Sequence, residues 1–144
     1  MKNQMELSFL SIAENEAFAR MVISAFLVQA NPTLSIVSEV RTAISEAVTN
    51  AIVHAYNGRA DGRIVLRATL SERQLELEVE DFGCGIADVE QAMQPFFTTQ
   101  PDKERTGMGF SLMLSFMDGV KVYSTPGSGT TVHMTRLLQD DEAL

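Results

Sequence analysis

Leu75-Glu76-Leu77-Glu78-Val79-Glu80-Asp81-Phe82-Gly83-Cys84-Gly85 is the stretch that decides the fold. Apolar and acidic residues alternate strictly from Leu75 to Glu80. Successive side chains of a strand point to opposite faces, so Leu75, Leu77 and Val79 line one face and the three glutamates the other. Such a strand belongs to a sheet with one face on a core and one in water. It ends at Asp81, whose carboxylate offers two acceptor oxygens. Gly83 and Gly85 then permit backbone conformations and close approaches that a Cβ would block. Asp and Gly are also ordinary turn residues, so by itself the segment reads equally as a plain strand end.

The pattern extends in both directions. Residues 63–70 read as a partner strand, with Ser71-Glu72-Arg73 as the hairpin turn. Upstream, 35–56 carries the helical stripe Ile36, Val37, Val40, Ile44, Val48, Ala51, Ile52 and Ala55. Residues 6–13 partly alternate and read as a first strand. Asn15 is placed to cap a helix over about 16–29, with Phe18, Met21, Val22, Ala25 and Phe26 on one face, and Asn31-Pro32 ends it. Residues 57–62 form a turn-rich loop. Downstream, Asp88 caps a short helix to about Met93. Residues 94–107 show no periodicity and read as a mobile loop, a lid at about 95–107. A helix over 108–117 and strands over 119–124 and 130–137 close the chain, and the acidic end at 139–144 reads as frayed. The order βααββ, helix, lid, helix, ββ predicts an α/β (α+β) two-layer sandwich: a mixed, mostly antiparallel sheet with helices on one face. It forms a single domain over 1–144.

Composition narrows the function classes. A chain of 144 residues, 45% apolar and 21% charged, is enough for one sizeable core. The net charge of −8 argues against broad contact with a nucleic-acid backbone. It suits a partner with basic patches, or solubility alone. No apolar run approaches the ~18 residues of a membrane span, and the first residues lack the apolar core of a signal peptide. One cysteine, Cys84, excludes an internal disulfide. A cytoplasmic protein is the expectation.

Three further segments carry candidate chemistry. Glu46 and Asn50 lie one helical turn apart on one face, off the apolar stripe. A carboxylate beside a carboxamide suits magnesium and phosphate, since Mg²⁺ takes hard oxygens and keeps several waters; a solvated polar pair is the alternative. His54 continues that face, where a structural role is the simpler reading. Thr106-Gly107-Met108-Gly109-Phe110 runs straight into a helix, and free backbone N–H groups at a helix start bind phosphate. Arg105, always charged and able to bond bidentately, is the candidate for the γ-phosphate; Lys103 and Glu104 are further candidates in the lid, and a solvated charge cluster is the alternative for all three. Gly129-Thr130-Thr131 opens the last strand. A Walker-type phosphate loop, a protein-kinase His-Arg-Asp segment and a His/Cys metal cluster are all absent from the sequence.

Taken together, Glu46–Asn50, Asp81–Gly85, Gly107–Gly109 and Gly129–Thr131 resemble the ATP-binding (GHKL, Bergerat-type) fold shared by type II topoisomerases, Hsp90 chaperones, histidine kinases and mismatch-repair proteins. The likeness covers nearly the whole chain. It is strongest to the small serine-protein-kinase branch, the anti-sigma factors of spore-forming bacteria. That resemblance implies ATP/ADP and Mg²⁺ as ligands. It makes Glu46 the general base, Asn50 the metal-binding residue, Asp81 with Thr130 the acceptor site for the adenine amino group, and Gly83 and Gly85 the loop around the base. Gly107 and Gly109 would form a phosphate loop shorter than in larger relatives. The phospho-accepting helix of histidine kinases is missing, so the acceptor must be another protein. A sigma factor, an anti-anti-sigma protein as phosphorylation substrate and a homodimer are the implied partners, with neither nucleic acid nor membrane bound directly. The role of Arg20 on the first helix stays open. The alternative is a nucleotide-gated binding module that catalyses nothing useful; Glu46 discriminates, since a binder needs no base.

Overall fold

The computed structural model describes residues 2–94 and 109–138. Five strands form one sheet in the order β1-β2-β3-β5-β4: β1 Lys2–Leu10, β2 Arg63–Ser71, β3 Gln74–Asp81, β4 Gly119–Thr125 and β5 Gly129–Leu137. All four pairings among the described residues are antiparallel, which is narrower than a mixed sheet. Against one face lie α1 Glu14–Leu27, α2 Leu34–Asn50 and α4 Gly109–Phe116, with α2 touching both α1 and α4; the short α3 Val89–Ala92 buries no residue.

The core follows from the alternation. Leu66, Val79 and Val132 form one inward row across β2, β3 and β5, and Ala68, Leu77 and Met134 form the next. They meet Ile36, Val40, Ile44 and Val48 of α2, all buried. Burying a side chain of this size stabilises by about 1.5–3 kcal/mol relative to exposure. Glu76, Glu78 and Glu80 stand on the opposite face, as the alternation predicts.

Three expectations about the N-terminal half are corrected. The first strand spans Lys2–Leu10 rather than 6–13, because it pairs with the whole of β2, from Lys2 opposite Ser71 to Leu10 opposite Arg63. The first helix starts at Glu14, with Ala13 at the cap position and no side-chain cap; the Asn15 carboxamide instead donates to the Leu10 carbonyl at 2.8 Å. Its buried face is Ala19, Ile23 and Leu27. Phe18 and Met21 point outward, 46% and 69% exposed.

At the far end of α2 the helix does not stop at Asn50. It widens into a π-helical turn over Ala51–Ala55. Such turns are rare and occur often at functional sites. Here the turn brings backbone carbonyls against the loop that follows β3.

Candidate nucleotide site

One row of the sheet breaks the apolar rule. The register places Phe9, Ile64, Asp81, Thr130 and Ser124 side by side across all five strands. Counting by twos from the rows below, all five belong to the helix-facing side. Three of them are polar, at the end of the sheet nearest the turn that follows Asn50. An aspartate only 6% exposed needs a reason.

Its hydrogen bonds supply one. Gly83 N–H and Thr130 N–H both donate to Asp81 Oδ1, at 3.0 and 3.2 Å. Oδ1 is thereby fixed, while Oδ2 has no bond assigned to it. Burial pushes the Asp81 carboxyl above the usual carboxylate range, against the pull of the two backbone donors. A held, poorly hydrated acceptor of this kind suits an N–H of a ligand.

The loop after Asp81 is wedged between two walls. On one side, Cys84 N–H donates to the Ala55 carbonyl at 3.0 Å, and a Cβ on Gly83 would overlap that same carbonyl. On the other, Gly127 N–H donates to the Cys84 carbonyl at 2.7 Å. Gly85 has φ +76° and sits against the Thr125 carbonyl, where a Cβ would overlap it. Both sequence-predicted glycines are therefore required by backbone approach. Cys84 is exposed, with its Sγ 3.4 Å from the His54 carbonyl.

Two residues that sequence reasoning did not single out hold this arrangement. Tyr56 is buried; its hydroxyl accepts from Phe82 N–H at 2.7 Å and donates to the Arg63 carbonyl. Burial raises its hydroxyl pKa. Ser124 Oγ accepts from Ile86 N–H at 2.7 Å and lies 2.8 Å from Thr130 Oγ1. Ser124 has a signal in the sequence: it continues the inward positions Val120 and Val122. Tyr56, just past the helical stripe and before a turn, has none.

Glu46 and Asn50 are half-buried on the last turn and a half of α2. Asn50 Nδ2 is buried with no hydrogen-bond partner. A carboxamide flip exchanges its nitrogen and oxygen, so the orphaned end can offer an oxygen to a cation. No group of three or more His, Cys, Asp or Glu among the described residues could hold a metal ion alone. The orphaned Asn50 carboxamide is the observation a magnesium ligand would fit, since Mg²⁺ takes hard oxygens and keeps several waters. Gly109 opens α4, which packs on α2. Lys103, Glu104, Arg105 and Gly107, with the rest of the expected lid, lie outside the described residues.

Comparison with known proteins identifies the family. Residues 11–136 match the family model for the histidine kinase-like ATPase domain. The chain is 45% identical over its full 144 residues to the anti-sigma F factors of Bacillus thuringiensis and Bacillus mycoides, covering 99% of each. Among solved structures, the RsbU and RsbW domains of a Mycobacterium tuberculosis protein superpose with a TM-score of 0.69 at 19% identity, over 94% of this chain and 32% of that one. A blue-light activated histidine kinase of Erythrobacter litoralis gives 0.56 at 26% identity, over 78% of this chain and 34% of that one. Both the family model, which spans most of the chain, and the full-length identity lead to one conclusion: the chain belongs to the histidine kinase-like ATPase domain family, in its anti-sigma F factor branch.

Proposed function

We propose that this chain is an anti-sigma factor and an ATP-dependent serine-protein kinase. It sequesters a sporulation sigma factor and phosphorylates a serine of its anti-anti-sigma partner. It acts in the cytoplasm as a homodimer, each subunit one ATP-binding unit spanning 1–144 with a lid at about 95–107. The observation that carries the reading is Asp81, buried, pinned through Oδ1 by two backbone amides and open at its other oxygen. The full-length likeness to anti-sigma F factors supports the partners.

In this reading Asp81 and Thr130 hold the adenine, and the loop through Gly83 and Gly85 encloses it. Gly107 and Gly109 present backbone N–H groups to the phosphates, and Arg105 meets the γ-phosphate. Asn50 gives an oxygen to magnesium, which when bound offsets negative charge on the phosphates. Glu46 orients the acceptor serine hydroxyl and takes its proton as the new O–P bond forms and the bond to the ADP oxygen breaks. Phosphoryl transfer is mostly positioning and charge stabilisation, so a modest constellation suffices.

Glu46→Gln separates the two activities. It keeps size and hydrogen bonding and removes the base. We expect near-normal ATP affinity and sigma binding, with transfer to the partner slowed at least ~100-fold, the low end for a general base. Transfer at a near-normal rate would move the base elsewhere. Absence of transfer from the wild type as well would favour a nucleotide-gated binding module.

A further inference from the structure

We infer that Ser124 is a specificity-determining positioning residue, which sets the Thr130 hydroxyl as a hydrogen-bond donor toward the base. The inference rests on the reading that Asp81 and Thr130 hold the purine. It goes beyond it by assigning the proton pattern of the site and a residue that controls it.

A serine hydroxyl has one proton and two acceptor lone pairs. Ser124 Oγ has three polar neighbours: Ile86 N at 2.7 Å, Thr130 Oγ1 at 2.8 Å and the Gly129 carbonyl oxygen at 3.2 Å. The Ile86 amide can only donate, so it takes one lone pair. Two proton arrangements remain. In the first, Ser124 donates to Thr130, and the Thr130 proton is left for a ligand. In the second, Thr130 donates to Ser124, and the Ser124 proton goes to Gly129. O–H···O bonds are commonest near 2.7–2.8 Å and weaken past about 3.0 Å. Both arrangements keep the 2.8 Å bond; they differ in the second proton, which goes to a ligand acceptor at Thr130 in the first and along the weaker 3.2 Å contact in the second, so a ligand with an acceptor there selects the first.

The first arrangement gives the site a fixed pattern: an acceptor at Asp81 beside a donor at Thr130. A 6-aminopurine edge presents an N–H donor at the 6-position and an acceptor at ring nitrogen 1. A 6-oxopurine edge presents the reverse at both. Asp81 alone distinguishes the 6-position. Ser124 extends the distinction to the ring nitrogen: with one Thr130 lone pair taken by Ser124, an acceptor there meets the hydroxyl proton, whereas an N–H must compete with that proton for the single lone pair left. Without Ser124 the threonine hydroxyl turns freely and serves either purine.

The test compares ADP with inosine diphosphate, which differ only at this edge, by calorimetry on the full chain. Wild type should favour ADP strongly. Ser124→Ala should lower the ADP-to-IDP preference at least ~fivefold, mainly through loss of ADP affinity, as expected when one oriented hydrogen bond is lost. Ser124→Cys keeps the volume and offers only a weak donor, so it should shift the preference in the same direction and covers the case in which the alanine variant does not fold. Thr130→Val should abolish the part of the preference that Ser124 controls, and Thr130→Val with Ser124→Ala should add nothing to it. An unchanged ADP-to-IDP ratio in Ser124→Ala or Ser124→Cys, whether both affinities fall together or neither falls, would overturn the inference. So would a further loss of preference in the double variant. Equal binding of ADP and IDP by wild type would instead overturn the base-site reading itself.

Discussion

Asp81 is a carboxylate kept where a carboxylate is expensive. Its pKa is raised by burial, so the ionised form is worse off in the folded chain than in the unfolded one. The sign follows: whatever Asp81 contributes is most favourable when it is protonated, and is lost as pH rises from the usual Asp value through its folded one. Asp81→Asn removes that cost. The amide oxygen can still accept from Gly83 and Thr130, leaving an NH₂ where Oδ2 was. We expect a melting temperature at pH 7 equal to or above wild type, with the difference shrinking in acid. Nucleotide binding should fall in the same variant: ATP loses an acceptor and meets a donor, a mismatch of about 1–3 kcal/mol. A variant that melts lower and binds ATP normally would reverse this account of the residue. Arg105→Ala provides a second check: it should weaken ATP more than ADP, since only ATP carries the γ-phosphate. Asp81 was legible in the sequence because it ends a clean alternation before two glycines. Ser124 was legible only as the next inward position after Val120 and Val122; that it faces Thr130 comes from the strand register.

The loop after β3 works because backbone meets backbone on both of its sides. Gly85 and Gly127 both have positive φ, +76° and +82°. A Cβ at Gly85 would overlap the Thr125 carbonyl, whereas one at Gly127 would meet nothing within 4 Å. Alanine at Gly127 should therefore cost only the backbone term, about 1 kcal/mol. Alanine at Gly85 should cost at least ~1 kcal/mol more, from overpacking, and should weaken ADP as the loop shifts. Equal losses by denaturant melts would show that the Thr125 wall can yield. The glycines and the strand they follow were readable from residue type alone. The face of α1 was not, since the helix is apolar nearly all round. The large side chains Phe18, Met21 and Phe26 outweigh the smaller buried set Ala19, Ile23 and Leu27 in any count by size. The π-turn at Ala51–Ala55 was also hidden, because those residues keep ordinary helical spacing and only the neighbouring loop exposes the extra width.

Phe18 and Met21 on α1 are large apolar side chains left exposed, of the kind that marks protein interfaces. The proposed homodimer would cover them. Met21→Glu should leave nucleotide affinity and melting temperature near wild type and shift sedimentation toward the monomer; a variant that stays dimeric would place the interface elsewhere. Helices on one face of a mostly antiparallel sheet were legible for the described residues, since alternation and helical stripes both survive in a two-layer fold; that every pairing among them is antiparallel was not. In the proposed function the acceptor of the phosphoryl group is a second protein, and the most direct test brings that protein in. Purified chain is incubated with γ-labelled ATP, magnesium and the anti-anti-sigma protein, with Asp81→Asn in parallel. The account predicts label on one serine of the partner with wild type and almost none with Asp81→Asn. ATP bound by wild type with no label on the partner would contradict it.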